Sequence, residues 1–288
     1  MPTIENFATV NYTSNGVAAT KVSNLAETQL ESSVLFSKNV LGSTYSDGDV
    51  VTYIMTITNA STSAVPNISI FDNLGQFTEG ASELTPLNYL GPAVLLINGQ
   101  DVSAQLTVTE QPQGGITFSF PSLASGATAN IVYRTVVNEY APLAQGSTII
   151  NTADLTSDSA CADTSASATV TAAVAADVSV FKQMCPNPVI CGETLTYTIR
   201  IYNYGNIAAE NVQLVDAFDP APANITVAEG GVILSPEIYT YAGNVLTVPT
   251  SVTENPIIVP AATFTRDETT GVVSVTPGVV EFVVTGTI

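Results

Sequence analysis

Two stretches of this chain are copies of each other, and that copying constrains the fold more than any single residue does. Shifted by 182 − 38 = 144 positions, residues 35–74 lie over residues 179–218 without a gap. Lys38 falls on Lys182, Gly48 on Gly192, Thr52 on Thr196, Tyr53 on Tyr197, Ile57 on Ile201, Asn59 on Asn203, Asn67 on Asn211 and Asp72 on Asp216. In the first copy Val51, Tyr53, Met55 and Ile57 alternate with Thr52, Ile54, Thr56 and Thr58, the period of two expected of a half-buried strand. Leu195, Tyr197, Ile199 and Ile201 present the same face in the second copy. Chance does not hold such a register, so the chain carries one β domain twice. Composition agrees with sandwiches: 45% of residues are hydrophobic, only 11% are charged, and 19 Gly and 16 Pro mark turns.

The first thirty residues do not fit that scheme by themselves. Residues 5–30 read as two alternating strands about Ser14-Asn15-Gly16, an Asn-Gly hairpin signal. The same kind of segment recurs at residues 150–174, where it closes the first copy and leads into the strand of Lys182. Asn6 precedes Lys38 by 38 − 6 = 32 positions, and Asn151 precedes Lys182 by 182 − 151 = 31. Residues 277–288 resemble residues 126–137, the strand before that closing hairpin. A closing asparagine for the second copy would fall at 182 + 113 = 295, past residue 288. The expected architecture is all-β: a donor hairpin (1–31), a complete Ig-like domain (32–176), and a second Ig-like domain (177–288) without its closing hairpin.

A sandwich short of its last strands exposes an apolar trough and strand edges, and such edges accept a strand from another chain. The linker of residues 25–33 spans at most ~30 Å, whereas the first domain is roughly 35 Å long. With the domains end to end, the hairpin falls short of its own second domain. The expectation is therefore head-to-tail addition between copies of this chain, a heterologous contact that builds an open filament. Burial of about ten inward side chains would give a gross gain near 15 kcal/mol, reduced by ordering and association. The alternative is that residues 1–31 are a loose tail.

A net charge of −19 with six Lys plus Arg argues against a nucleic-acid partner and against attraction to an anionic membrane. No run of eighteen apolar residues is present, and no basic segment followed by an apolar one opens the chain. With no His, neither a His-based triad nor a His-ligated metal can be built. No phosphate or dinucleotide fingerprint follows a strand, so no cofactor is expected. The acidic cluster Asp47-Gly48-Asp49 reads as a solvated turn rather than a calcium site. An enzyme with paired carboxylates is disfavoured because nothing fixes two of them at a working distance. A stalk or adhesin fragment is the stronger rival, its ligand site falling in the less regular segments 75–114 and 219–270.

The segments SVFK (179–182), GETLTYTIRIYNYGN (192–206), NVQLVDAF (211–218) and NTA (151–153) resemble the bacterial surface repeat catalogued as domain of unknown function eleven. Its relatives include Ig-like stalk domains of Gram-positive adhesins and pilins. The resemblance is good over the first half of each copy and poor over the middles. It implies an extracellular structural module on a bacterial cell or spore surface, similar to the subunits of spore-surface fibres. Domains of that appearance often join a first-strand Lys to a last-strand Asn by an isopeptide bond, with a buried acid assisting. Burial favours the neutral amine and the neutral acid, which can then attack and polarise the amide. By that resemblance the intramolecular set is Lys38, Asn151 and Asp72. The intermolecular set is Lys182 and Asp216 with Asn6 of the neighbour, and Glu193 and Asp49 are reserve acids. The bland alternative is that the lysines snorkel at strand ends while the asparagines cap turns. Cys185 and Cys191 flank a short loop and either pair or stay as thiols; Cys161 is odd and is open to pairing between molecules.

Overall fold

In the computed structural model, which describes residues 3–29, 34–112, 114–159 and 163–288, the chain is built of β-strands with a single 3-10 turn, Ser103–Gln105, among the described residues. Two compact units divide it: Met1–Asn138 with Ile149–Val170, and Glu139–Thr148 with Thr171–Ile288. Each is an Ig-like sandwich, and a hairpin precedes the first.

In that hairpin Thr9–Ser14 pairs antiparallel with Val17–Val22, and Thr3–Asn6 with Ala26–Gln29. Asn15 and Gly16 turn it with φ of 51° and 79°, the left-handed pair that makes Asn-Gly the preferred two-residue connection. Its strands pair with one another, and Ile4, Phe7, Val10, Tyr12, Val17 and Val22 all stand exposed. Residues 30–33 of the linker lie outside the described residues.

The first sandwich packs a five-stranded sheet on a six-stranded one. The five-stranded order is Gln100–Asp101, Leu87–Ile97, Thr128–Val137, Val50–Asn59, Val34–Leu41. The other runs Thr107–Glu110, Ile116–Leu123, Val65–Asp72, Thr148–Thr156, Thr164–Ala172, Thr44–Tyr45. The inward parity read from the sequence is the buried one: Tyr53, Met55 and Ile57 meet Ile68, Ile70 and Phe118 in the core. The middle segment is more regular than expected. Leu87–Ile97 is an eleven-residue strand paired with Thr128–Val137, and its alternation is hidden by a register shift between Leu90 and Val94 that contains Gly91-Pro92.

The second sandwich repeats the first sheet as Val178–Cys185, Thr194–Asn203, Gly278–Thr287, Ala223–Glu229 and Val232–Ile233. Its other face is assembled from shorter ladders, Leu214–Ala217 with Val245–Val248 and Thr240–Ala242, and Ala209–Val212 with Ile257–Val259. Asn67 and Asn211, matched in the repeat, both take positive φ (47° and 55°), a backbone state that asparagine tolerates better than most residues. Asn59 and Asn203 are matched and fully buried. Asn59 Nδ2 donates to the Ser63 and Leu123 carbonyls, and Asn203 Nδ2 to those of Ile207 and Pro260. Each is a clamp between strand end and loop at the place where the two copies match.

Candidate functional site

Four side chains from both sheets of the first sandwich converge. Lys38 points inward from the edge strand Val34–Leu41, opposite Met55 in the ladder. Asp72 ends the strand Val65–Asp72, Asn151 lies on Thr148–Thr156, whose Ala153 is the ladder partner of Asp72, and Tyr133 comes from the central strand Thr128–Val137. Ile149, Asn151, Ala153 and Leu155 form the buried side of their strand, so the asparagine occupies a core position.

Lys38 Nζ donates to Asp72 Oδ2 at 2.7 Å, and neither side chain has any solvent exposure (0% each). The Tyr133 hydroxyl donates to the same Asp72 oxygen, and Asn151 Nδ2 donates to the Tyr133 oxygen at 3.3 Å. Asn151 Oδ1 accepts the Gly75 N–H at 3.2 Å, a donor shared with Asn73 Oδ1 at 3.0 Å. The other carboxylate oxygen of Asp72 accepts the Leu74 N–H at 2.9 Å, so the acid is held from both sides. Lys38 Nζ also lies 5.1 Å from the centre of the Tyr53 ring, which stacks on Tyr133 at 5.5 Å. The Tyr53 hydroxyl is buried beside the Asn151 amide at a geometry short of a hydrogen bond.

Burial dominates the electrostatics. Loss of solvent lowers the Lys38 ammonium to about 8, against the opposing pull of Asp72 and a smaller one from Asp154. Burial, then the charge of Asp72, pushes the Tyr133 phenol well up. Burial thus makes the neutral amine easier to reach, beside an acid that the Tyr133 hydroxyl links to a primary amide, with no solvent exposure at either charged side chain.

The second sandwich repeats half of this. Lys182 Nζ lies 2.6 and 2.7 Å from the two Asp216 oxygens, and 5.0 Å from the centres of both the Tyr197 and Phe218 rings. Here the side chains are 36% and 11% exposed. In the first sandwich Val65–Asp72 is flanked by two strands, whereas among the described residues Leu214–Ala217 pairs only with Val245–Val248. The inward side of the first strand is open to match: Val34 is 2% exposed but its counterpart Val178 is 44%, and Val180, Lys182 and Met184 are exposed as well. Asn6 stands exposed on the hairpin, paired with Ala26.

Some expectations fall elsewhere. Asp49 accepts the Ser46 N–H within an exposed turn and Glu193 is exposed, so neither reserve acid joins a cluster. Cys185 and Cys191 are free, exposed thiols rather than a bridge: Cys185 is held in the ladder opposite Thr196, while Cys191 sits beyond the loop next to Gly192. Cys161 lies outside the described residues. Tyr133 and the Gly75 N–H were missed by sequence reasoning; the only signal for the tyrosine was its place on the inward parity of its strand.

Neither a family model nor a curated protein sequence matches the chain. Among solved structures it is similar to a variant of BcpA, the major pilin subunit of Bacillus cereus (11% identity, TM-score 0.38, covering 95% of this chain and 73% of that one). It is similar also to the collagen-binding subdomain of the Enterococcus faecalis surface protein ACE (12%, TM-score 0.33, 48% and 96%). A third likeness is to the collagen-binding domain of a Staphylococcus aureus adhesin (14%, TM-score 0.31, 47% and 96%). At these identities the likeness is one of fold.

Proposed function

We propose that the protein is a structural subunit of an extracellular fibre on a bacterial cell or spore surface, of the repeat family that its motifs resemble. The hairpin of one copy completes the second sandwich of the next, head to tail. The observation that carries this reading is the open inward face of the second sandwich, Val178, Val180, Lys182 and Met184, where the first sandwich is covered by its own closing strands. The hairpin has the matching face. At a constant shift of 151 − 6 = 145, Ile4, Asn6, Ala8 and Val10 correspond to the buried Ile149, Asn151, Ala153 and Leu155. A strand seated as Thr148–Thr156 is seated would therefore bring Asn6 to Lys182 and Asp216 as Asn151 is brought to Lys38 and Asp72. Main-chain pairing gives affinity in such strand addition, and the alternate side chains give register.

Isopeptide bonds lock the result. Lys38 attacks the Asn151 side-chain carbonyl within a subunit, and Lys182 attacks that of the neighbour's Asn6 between subunits, each step releasing one ammonia. Deletion of residues 1–31 tests the assembly. The full chain should form filaments visible by electron microscopy and leave a ladder on a gel after boiling in detergent, while the deleted chain stays monomeric. A full chain that remains a monomer at high concentration refutes the reading and leaves a stalk module in its place.

A further inference from the structure

We propose that Tyr133 is a catalytic residue of the Lys38–Asn151 bond, passing a proton from Asp72 to the departing amide nitrogen, while the Gly75 N–H stabilises the carbonyl oxygen. The proposal rests on the intramolecular cross-link just described. The hydrogen bonds fix the orientation of the amide. Gly75 N–H can only donate, so the atom of Asn151 facing it is Oδ1, and Nδ2 must face the Tyr133 hydroxyl. That hydroxyl spans the gap between the acid and the leaving group, because it donates to Asp72 Oδ2 and accepts from Nδ2. Gly75 is shaped for its part. It takes φ +73°, and a Cβ there would stand 2.5 Å from Ile149 Cγ2, two residues from the reacting amide. No other residue brings its N–H so near without moving that strand.

The chemistry balances along this chain of contacts. The Lys38 ammonium gives one proton to Asp72 Oδ2, and the free amine attacks Asn151 Cγ. The carbonyl electron pair moves onto Oδ1, facing the Gly75 N–H. The proton on Asp72 then moves to the Tyr133 oxygen as the phenol gives its own to Nδ2. Because the two transfers are coupled, the phenol never ionises, which suits its strongly raised pKa. The Cγ–Nδ2 bond breaks, its electron pair leaves with ammonia, and the carbonyl reforms. Nζ returns its second proton to the Asp72 carboxylate. An ammonium, a carboxylate and a primary amide have become a secondary amide, a carboxylic acid and ammonia.

The second sandwich supplies an internal control. Tyr53 is the ladder partner of Tyr133, and the matched Tyr197 has Val284 as its partner, so no phenol stands at that place. Tyr133→Phe removes the oxygen and keeps the ring against Tyr53 and Phe118. The test is peptide mapping of the full chain over time after refolding. In Tyr133→Phe the Lys38–Asn151 peptide should appear at least about 100-fold more slowly, the usual scale of a lost general acid. The Lys182–Asn6 peptide and the boiled ladder should be unchanged. Equal rates for the two chains overturn the relay and leave the cross-link reading standing, whereas absence of the Lys38–Asn151 peptide in the unaltered chain overturns both. If Tyr133→Phe fails to fold, 3-fluorotyrosine at position 133 keeps the shape and acidifies the phenol. A changed rate then supports the relay, and an unchanged one overturns it.

Discussion

Asn151→Ala, in a chain lacking residues 1–31 so that it stays monomeric, weighs the intramolecular link directly. A bond from Lys38 to Asn151 closes a loop of 151 − 38 = 113 residues in the unfolded chain. By chain entropy its removal costs about 5 kcal/mol. The substitution also returns a free amine to a site where the Lys38 side chain has no exposure and burial has lowered it from 10.5 to about 8. That shift corresponds to about 3 kcal/mol against the folded state at pH 7. Below pH 8 both states hold the proton and the whole penalty is felt. Between about 8 and 10.5 the folded state has released it while the unfolded state has not, so stability rises with pH. Tyr45, pushed up to about 12, and the raised Tyr53 and Tyr133 act the opposite way above about 10, where the unfolded phenols ionise first. The clean window is pH 7 to 9.5, over which Asn151→Ala should gain about 2 kcal/mol. The unaltered chain and Lys38→Met should lack that rise, since neither has a titrating amine at that place. Guanidinium unfolding followed by hydrogen exchange of Thr128–Val137 reports the first sandwich separately from the second. If the unaltered chain and Asn151→Ala unfold at the same denaturant concentration at pH 7, or share the same rise with pH, no link exists and the reasoning fails.

Asn6→Ala should leave assembly intact and remove its permanence: filaments form, but boiling in detergent returns single subunits, and a persisting ladder would mean that Asn6 is not the partner of Lys182. The rate of Lys38–Asn151 formation, followed as ammonia released after refolding, should fall as pH rises through about 8, because the reactive state keeps one proton shared between Lys38 and Asp72. A rate that climbs steadily above 8 would mean that the free amine alone limits the reaction.

The sheets were largely legible because alternation reports burial directly. Val51, Tyr53, Met55 and Ile57 were read as inward and lie in the core. The hairpin was legible because Asn-Gly is a local signal with a local cause. Leu87–Ile97 was not, since Gly91-Pro92 breaks the alternation inside a register shift. Lys38 and Asp72 were found through their matched places in the two copies, and the structure puts them 2.7 Å apart. Tyr133 left no such trace. On its strand it is one more large inward residue, and its hydroxyl acquires meaning only from the long-range register that sets Asn151 and Asp72 on either side of it. Periodicity tells which face a residue occupies; it does not tell which polar atoms meet there.

The two Lys–Asp pairs have the same residues at the same spacing but differ in burial, and on the proposed reading that difference sets them to react at different times. Lys38 and Asp72 are sealed by Thr148–Thr156, a strand of their own domain, so folding alone would deliver the solvent-free surroundings that the proposed reaction needs. Lys182 and Asp216 have the same contact at 2.6 Å, but the lysine keeps a side chain 36% exposed beside an edge that no described strand covers. On the proposed reading, the desolvation that the first domain obtains by folding must in the second be brought by the incoming hairpin, together with the amide. Docking and bond formation are then ordered by burial alone. A hairpin seated one residue out of register would turn Asn6 to the opposite face, leaving Lys182 with neither an amide nor a closed pocket, and free to exchange until the correct strand arrives.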